Sequence, residues 1–589
     1  MSKINHIFRK DTWKLIKEYW QSEYKWQARG LLALIIALNL GDVYILVLLN
    51  AWNNTFYNAL QKYDKGVFLH ALGYFSILAG IYIVISVYEQ YFQQVLEIQW
   101  RRYMTDHYIG RWLSNKNYYR LQLAGNETDN PDQRISDDIR MFVSSTLNLV
   151  IGVLKAFVTL GSFVFILWQL SGSLPISWGG HVWRVPGYMV WAALGYAIIG
   201  TWMTSKIGRP LVQLNFEQQH YEADFRFSLV RLRENSESVA FYNGESNENN
   251  IFQGRFQKVF ANFRALMKRQ KKLTWLTSGY SQLAVIFPFL VAAPRYFSHQ
   301  IQLGGLIQIS SAFGRVQDSL SYFVNSYSSI AEWQAIRDRL VDFQNHLSET
   351  ESISEKAMIQ TEYNRNSAFW VSEMTIRRPD GEVLIEKLDF KLGPSESLLI
   401  TGPSGSGKST LIRTLAGIWP FGNGRLNRPQ NEGILFLPQK PYLPLGSLRD
   451  VLLYPLKPEF VTDKILKELM NACKLNEFND RLDEVENWSQ VLSLGEQQRI
   501  AFVRALLQDP KWLFLDEATS ALDEPTEDFL YQQIRNRLKN TTIISVGHRQ
   551  TLNRYHQSRL QILGMGKWNI EKSTNAVKPL IFSLLGMEH

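Results

Sequence analysis

Eight consecutive residues, Gly402-Pro403-Ser404-Gly405-Ser406-Gly407-Lys408-Ser409, match G-x-x-x-x-G-K-[ST], the spacing of a loop that wraps phosphate groups. Glycines allow such a loop to turn its N–H groups onto phosphate oxygens, and the dipole of the helix that follows favours an anion. Lys408 is spaced to reach β- and γ-phosphates, and the Ser409 hydroxyl to bind Mg²⁺. The context agrees, because the β-rich run Ser397-Leu398-Leu399-Ile400-Thr401 precedes the loop and a helical pattern with Thr410 in its first turn follows it.

About a hundred residues on, Lys511-Trp512-Leu513-Phe514-Leu515-Asp516-Glu517 reads as a buried strand ending in two acids. Beside a phosphate loop, Asp516 is suited to hold Mg²⁺ through water. Glu517 is suited to orient or deprotonate an attacking water, a role worth roughly 10²- to 10⁴-fold in rate. Between these elements, Val491-Leu492-Ser493-Leu494-Gly495-Glu496-Gln497-Gln498-Arg499 opens another helical pattern.

The elements that position these groups follow from the periodicity beyond residue 367. Short β-rich runs (SLLIT, GILFLP, WLFLDE, TTIISVGH) alternate with helical patterns, as in a mainly parallel sheet covered by helices. The first 340 residues are of another kind. Residues 31–50, 68–92, 142–170, 186–205 and 274–294 are apolar over about the length a bilayer core requires. A sixth stretch, 303–330, carries Arg315 and Asp318 and is a weaker span. Such polar groups, Asp42 among them, are expected to face the bundle interior, with helix pairing the simpler role for Asp42. Between the two parts, 341–366 is polar and reads as a connector.

Basic residues give the orientation. Seven lie in 1–29, seven between Arg101 and Arg140 and twelve between Lys206 and Lys272, whereas the alternate loops hold only Lys62, Lys65, Arg184 and Arg295. Six spans with both termini on the cytoplasmic side fit this alternation. Residues 1–29, with Asp11, Trp13, Glu18, Tyr19 and Trp20, read as an amphipathic segment on the inner membrane face and not as a secretory signal.

The composition bears this out. The 589 residues are 46% hydrophobic with a net charge of +9, too apolar for a disordered chain. Their mean hydropathy of −0.16 averages greasy helices with a polar domain. Thirteen of the eighteen tryptophans precede residue 340. The positive excess follows the inner loops, so no nucleic-acid partner is expected. A single cysteine, Cys473, excludes an intrachain disulfide and a cysteine-based metal site.

The segment SLGEQQR resembles the signature of the ATP-binding-cassette (ABC) family, as do Gln439 in FLPQKPYLP, Asp523 in SALD and His548 in ISVGHR. LLITGPSGSGKSTLIRTLAGIWPFGNG, NPDQRISDDI and ENSESVAFYNGESNE resemble the branch that joins peroxisomal fatty-acyl transporters to bacterial SbmA/BacA-like uptake proteins. That resemblance implies a six-helix exporter-type membrane domain over 30–340 and an α/β ABC ATPase domain over 367–589. It implies ATP and Mg²⁺ as cofactors, a homodimer, a bacterial inner-membrane location, and a bulky hydrophilic solute such as cobalamin or a peptide. It also implies that Gln439 senses Mg²⁺ and water, that His548 contacts the γ-phosphate, and that Ser493 and Gly495 bind the ATP held by the other subunit, with Asp523 at the same site. The two membrane-half segments are expected to be coupling helices.

Two features depart from the family pattern. Leu494 stands where glycine is common, and an arginine, Arg377 or Arg378, stands near the usual place of the adenine-stacking aromatic. An ATP-gated channel would share these motifs, and a fatty acyl-CoA transporter would share the branch. A soluble ABC protein would carry two cassettes and no spans.

Overall fold

The structure, a computed structural model, describes residues 10–123, 130–178, 181–355, 359–364, 368–430, 433–456 and 461–572. The first nine residues of the expected amphipathic segment lie outside the described residues. Two compact units are present, one of residues 1–111 with 129–345 and the other of residues 112–128 with 346–589.

Helices run in the order α1 (Lys10–Trp20), α2 (Lys25–Gln61), α3 (Lys65–Leu113), α4 (Asn117–Leu123), α5 (Pro131–Gln133), a π-helical turn at Arg134–Asp138, α6 (Ile139–Ser171), α7 (Tyr188–Glu234), α8 (Ser236–Phe241), α9 (Glu245–Phe297), α10 (Leu303–Asn325) and α11 (Tyr327–Glu355). Strands β1 (Ser173–Trp178) and β2 (His181–Pro186) form a hairpin between α6 and α7. All of these but α4 and the ends of α3 and α11 belong to the first unit.

In α1, Leu15 and Tyr19 are buried while Trp13 is exposed, and the Tyr19 ring stacks on Trp100 of α3 at 5.6 Å. One face of α1 thus packs on α3 while the other is exposed. Among the described residues, four helical stretches are long and apolar enough to cross a membrane: Lys25–Gln61, Lys65–Leu123, Pro131–Ser171 and Glu245–Phe297. They contain four of the six expected spans. The other two are not among these four: 186–205 falls mostly on α7, and 303–330 on α10, which carries Arg315 and Asp318, and on the start of α11.

The core of this unit lies where α6, α7, α9 and α10 meet, around Phe163, Leu167, Met189, Ala193, Ala292, Ile309 and Phe313. Gly200 lets α7 and α9 approach closely, since a Cβ there would stand 2.3 Å from the Tyr280 ring.

The expected connector differs in its first half, where 341–355 continue α11. Trp333, Ile336, Leu340, Phe343 and Leu347 are all buried along it, a three-and-four spacing that makes one helix face. Polar residues between them hid that stripe from a reading by composition.

The second unit adds β3 (Ile359–Asn364), β4 (Phe369–Arg377), β5 (Val383–Leu392), β6 (Ser397–Thr401), α12 (Lys408–Leu415), β7 (Gly422–Pro429), β8 (Ile434–Leu437), β9 (Gly446–Ser447), α13 (Leu448–Leu453), α14 (Asp463–Ala472), β10 (Val485–Glu486), α15 (Trp488–Val491), α16 (Leu494–Gln508), β11 (Trp512–Asp516), α17 (Glu524–Arg537), β12 (Thr542–Val546), β13 (Ser558–Gly564) and β14 (Lys567–Lys572). The larger sheet has the order β14-β13-β6-β12-β11-β8, parallel except for the β13–β14 hairpin, and the smaller has the order β3-β7-β4-β5. β6 and β12 are buried throughout, and their mostly apolar runs are those expected of strands covered on both faces. Leu398, Ile400, Phe514 and Ile544 of the larger sheet share a core with Val371, Ile376 and Leu426 of the smaller, and Leu123 of α4 packs against it.

Candidate functional site

Four neighbouring parallel strands end on one edge, and each hands over to one of the chemistry-bearing segments. β6 leads into the phosphate loop, β12 to His548, β11 into Asp516 and Glu517, and β8 to Gln439. The register keeps them level, with Asp516 paired to Val546, Val546 to Ile400 and Leu515 to Leu437. Ligands bind open α/β sheets outside these carboxyl ends.

The loop itself is fixed by close packing. Gly402 has φ +149° and a Cβ there would stand 2.3 Å from the Ile562 carbonyl oxygen, so this position admits only glycine. Pro403 and Ser404 lead on to Gly405 and Gly407, both with positive φ. The Lys408 ammonium donates to the Gly402 and Pro403 carbonyl oxygens at 3.0 and 2.8 Å, curled back onto the loop that its charge would share with phosphate. Ser406 Oγ is buried without a hydrogen-bond partner among the described residues.

The Ser409 hydroxyl donates to Asp516 Oδ1 at 2.9 Å, joining the first turn of α12 to the end of β11. Burial pushes the Asp516 carboxyl above its ordinary range, while the Ser409 bond, Arg413 and Lys408 act the other way. Beside it, Gln439 Nε2 donates to Glu517 Oε2 at 3.3 Å. Glu517 holds a left-handed backbone, φ +49°, uncommon for a side chain of its size. His548 is exposed just past the end of β12.

The signature opens α16 with a capping box. The Ser493 side chain accepts from the Glu496 N–H, and the Glu496 carboxylate accepts from the Ser493 N–H at 2.8 Å. Gly495 sits against the Ala521 carbonyl and Leu522, two residues from Asp523, and Leu494 is exposed. The Thr526 hydroxyl holds the Asp523 carboxyl below the usual carboxylate range. Arg377 and Arg378 are engaged within their own turn, Arg377 with the Gly381 carbonyl and Arg378 with Glu382.

Two residues not singled out from the sequence tie these segments together. The Gln498 carboxamide donates to the Gln439 carbonyl and to Ser520 Oγ, and accepts from the Ala521 N–H. Glu527 is 2% exposed and accepts from Thr519 and Thr551, beyond Glu517 and His548 respectively. Gln498 lies inside the quoted signature, whereas nothing local marks Glu527 apart from its place in the first turn of α17.

Residues 15–297 match the family described as ABC transporter transmembrane region 2, and residues 385–520 match ABC transporter. An inner membrane ABC transporter ATP-binding protein of Escherichia coli, YddA, is 36% identical over 91% of this chain and 94% of its own. The chain belongs to the ABC transporter family. It is a half-transporter, one membrane region joined to one ATPase, in which ATP hydrolysis is coupled to transport.

Other relatives of this ABC transporter carry the D-family names. ABC transporter D family member 2, chloroplastic, of Arabidopsis thaliana is 36% identical over 95% of this chain and 87% of its own. The human lysosomal cobalamin transporter ABCD4 is 28% identical over 91% and 92%. A bacterial Atm1-family ABC exporter with ATP bound shares the fold, with a TM-score of 0.69 over 92% of this chain and 94% of that one, at 16% identity.

Proposed function

We propose that two copies of this chain form a homodimeric transporter in a bacterial inner membrane, with six spans per chain and both termini and the ATPase domain cytoplasmic. The single observation that carries the ATPase reading is the level edge where the phosphate loop, Gln439, Asp516-Glu517 and His548 meet. Gly402 through Ser409 and Thr410 wrap the phosphates. Lys408 leaves the loop carbonyls for the β- and γ-phosphates.

Ser409 and Asp516, already 2.9 Å apart, offer the hard oxygen donors that suit Mg²⁺, and Gln439 completes the set. Bound there, the ion neutralises charge that builds up on the phosphates. Glu517, next to Gln439, orients and deprotonates the attacking water, and His548 contacts the γ-phosphate.

Each chain has one phosphate loop and one signature, so two sites need two chains. Ser493 and Gly495, at the positive N-terminus of α16, receive the γ-phosphate held by the partner, with Asp523 beside them. Phe241 at the end of α8 and Tyr242 just after it are 78% and 86% exposed, which suits a coupling helix docked on another surface.

A bulky hydrophilic solute, cobalamin or a peptide, is supported by the cobalamin transporter among the relatives and by polar residues buried in the helical unit, including Asn39, Asp42, Asn50 and Gln308. Glu517→Gln is expected to bind ATP and to hydrolyse it at least about 10²-fold more slowly. Undiminished steady-state hydrolysis by that variant contradicts the assignment.

A further inference from the structure

Three ionisable side chains from three helices of the first unit converge within its apolar stretches. Lys155 Nζ of α6 lies 2.6 Å from Asp42 Oδ2 of α2 and 3.9 Å from Glu89 Oε2 of α3. Asn39, three residues before Asp42 and so on the same face of α2, donates to Glu89 Oε1 at 2.7 Å. The Asp42 side chain is 1% exposed, that of Glu89 12% and that of Lys155 40%. Asp42 Oδ1 has no hydrogen-bond partner among the described residues.

Two features distinguish this cluster from a helix-pairing ion pair. Its formal charge is two negatives against one positive, and an uncompensated charge away from bulk water is costly unless a cation answers it. A polar track also leads to it. On α3 the residues Glu89, Gln93, Glu97 and Arg101 recur every four positions along one face, and Gln93 donates to Asn148 of α6 at 2.6 Å. Beyond that contact, Glu97, Arg101, Arg140, Ser144 and Glu332 line a cavity of about 460 Å³ between α3, α6 and α11. The charged groups of that cavity balance, two acids against two bases, so the excess negative charge lies at the end of the track. The Lys155 side chain keeps 40% exposure, so the cluster opens to the surface of the helical unit on the lysine's side.

We infer that Asp42, Glu89 and Lys155, reached from the α3–α6 cavity, form a recognition site for a positively charged group of the transported solute, an ammonium or a guanidinium. Lys155 is the tethered occupant of a two-carboxylate seat, and the incoming cation displaces it toward the cavity. Asn39 holds Glu89 in place. This rests on the transporter reading above but is separable from it, because solute recognition can be measured without nucleotide.

The test uses the full chain in lipid nanodiscs and three fluorescein-labelled heptapeptides, lysine–alanine, glutamine–alanine and glutamate–alanine, with binding read by fluorescence polarisation in the absence of ATP. The lysine peptide is expected to bind about tenfold or more tighter than the other two. Glu89→Gln is expected to remove most of that preference, and Lys155→Met to tighten lysine-peptide binding. Should Asp42→Asn fail to assemble, Glu89→Gln and Lys155→Met carry the test alone. Equal or absent binding of the three peptides to the unaltered chain, or an undiminished preference in Glu89→Gln, overturns the inference. Loss of ATP hydrolysis in the unaltered chain would instead overturn the transporter reading.

Discussion

Leu398, Leu399 and Ile400 on β6 of the ATPase unit are at most 1% exposed, whereas Phe165, Ile198 and Leu283 of the helical unit are 63–67% exposed. Both units bury polar side chains, but they place those of the candidate sites differently. Asn39, Asp42 and Asn50 are at most 2% exposed in the helical unit, while the ATPase unit turns Ser404, Gly405, Gln439 and His548 outward along one sheet edge. Each unit hides from its solvent what that solvent cannot satisfy, water in one case and hydrocarbon in the other. The same kind of residue therefore has different worth in the two units, and substitutions measure the difference.

The largest contrast is between matched truncations. Leu399→Ala removes a fully buried side chain beside Leu513, Leu515 and Ile543 and is expected to destabilise the ATPase unit by about 2–5 kcal/mol in denaturant unfolding. Leu283→Ala, at an exposed apolar position of α9, is expected to change the stability of the helical unit by less than about 0.5 kcal/mol in detergent or bicelles, since lipid tails are as apolar as the side chain. Similar costs at the two positions would break the comparison.

A second test concerns the buried polar chain of the ATPase unit. The Leu552 carbonyl can only accept, so the proton of His556 sits on Nδ1, 2.8 Å away, and Nε2 accepts from Ser545 Oγ at 2.9 Å, which in turn accepts from the Tyr531 hydroxyl at 3.0 Å. This arrangement holds the imidazole neutral, and burial pulls it down to about 4. The sign follows from linkage: below about pH 6.5 the unfolded chain takes up a proton that the folded one refuses. Stability should fall from about pH 6.5 towards pH 4, at up to about 1.4 kcal/mol per pH unit from this group. His556→Gln should flatten that part of the profile, and a variant that keeps the full slope would remove His556 from the explanation.

A smaller effect is expected inside the helical unit. Asn54 Nδ2 donates to Gln308 Oε1 at 2.7 Å between α2 and α10, one turn from the Asn50 bond to the Gln308 carbonyl. Asn54→Leu is expected to cost about 0.6 kcal/mol and no more than about 1.7 kcal/mol, the average and the maximum for hydrogen bonds between membrane helices. A cost of several kcal/mol would mean that this seam, and not helix packing, holds the two helices together.

What could be read from the sequence divides along similar lines. The phosphate loop, the acid pair and the signature are legible because each depends on a few adjacent residues whose backbone must turn one way, as the blocked Cβ at Gly402 illustrates. Glu527 and Gln498 were missed because their partners are distant along the chain and no local pattern announces a buried network. The helix through 341–355 was obscured by its polar face. For Asp42 the sequence suggests helix pairing, and its contact with Lys155 does join α2 to α6, but as one part of a three-residue cluster. Glu89 enters only when three helices are brought together.

The central claim is that ATP is hydrolysed at sites each built from the phosphate loop of one chain and the signature of another. Lys408→Ala and Gly495→Glu each spoil both sites of a homodimer, whereas a heterodimer of the two keeps one site with Lys408 and Gly495 intact. With the variants co-expressed under two different tags and the heterodimer isolated through both, ATP hydrolysis well above that of either parent is the expected result. A heterodimer as inactive as its parents, or a Gly495→Glu homodimer with full activity, would contradict the shared site.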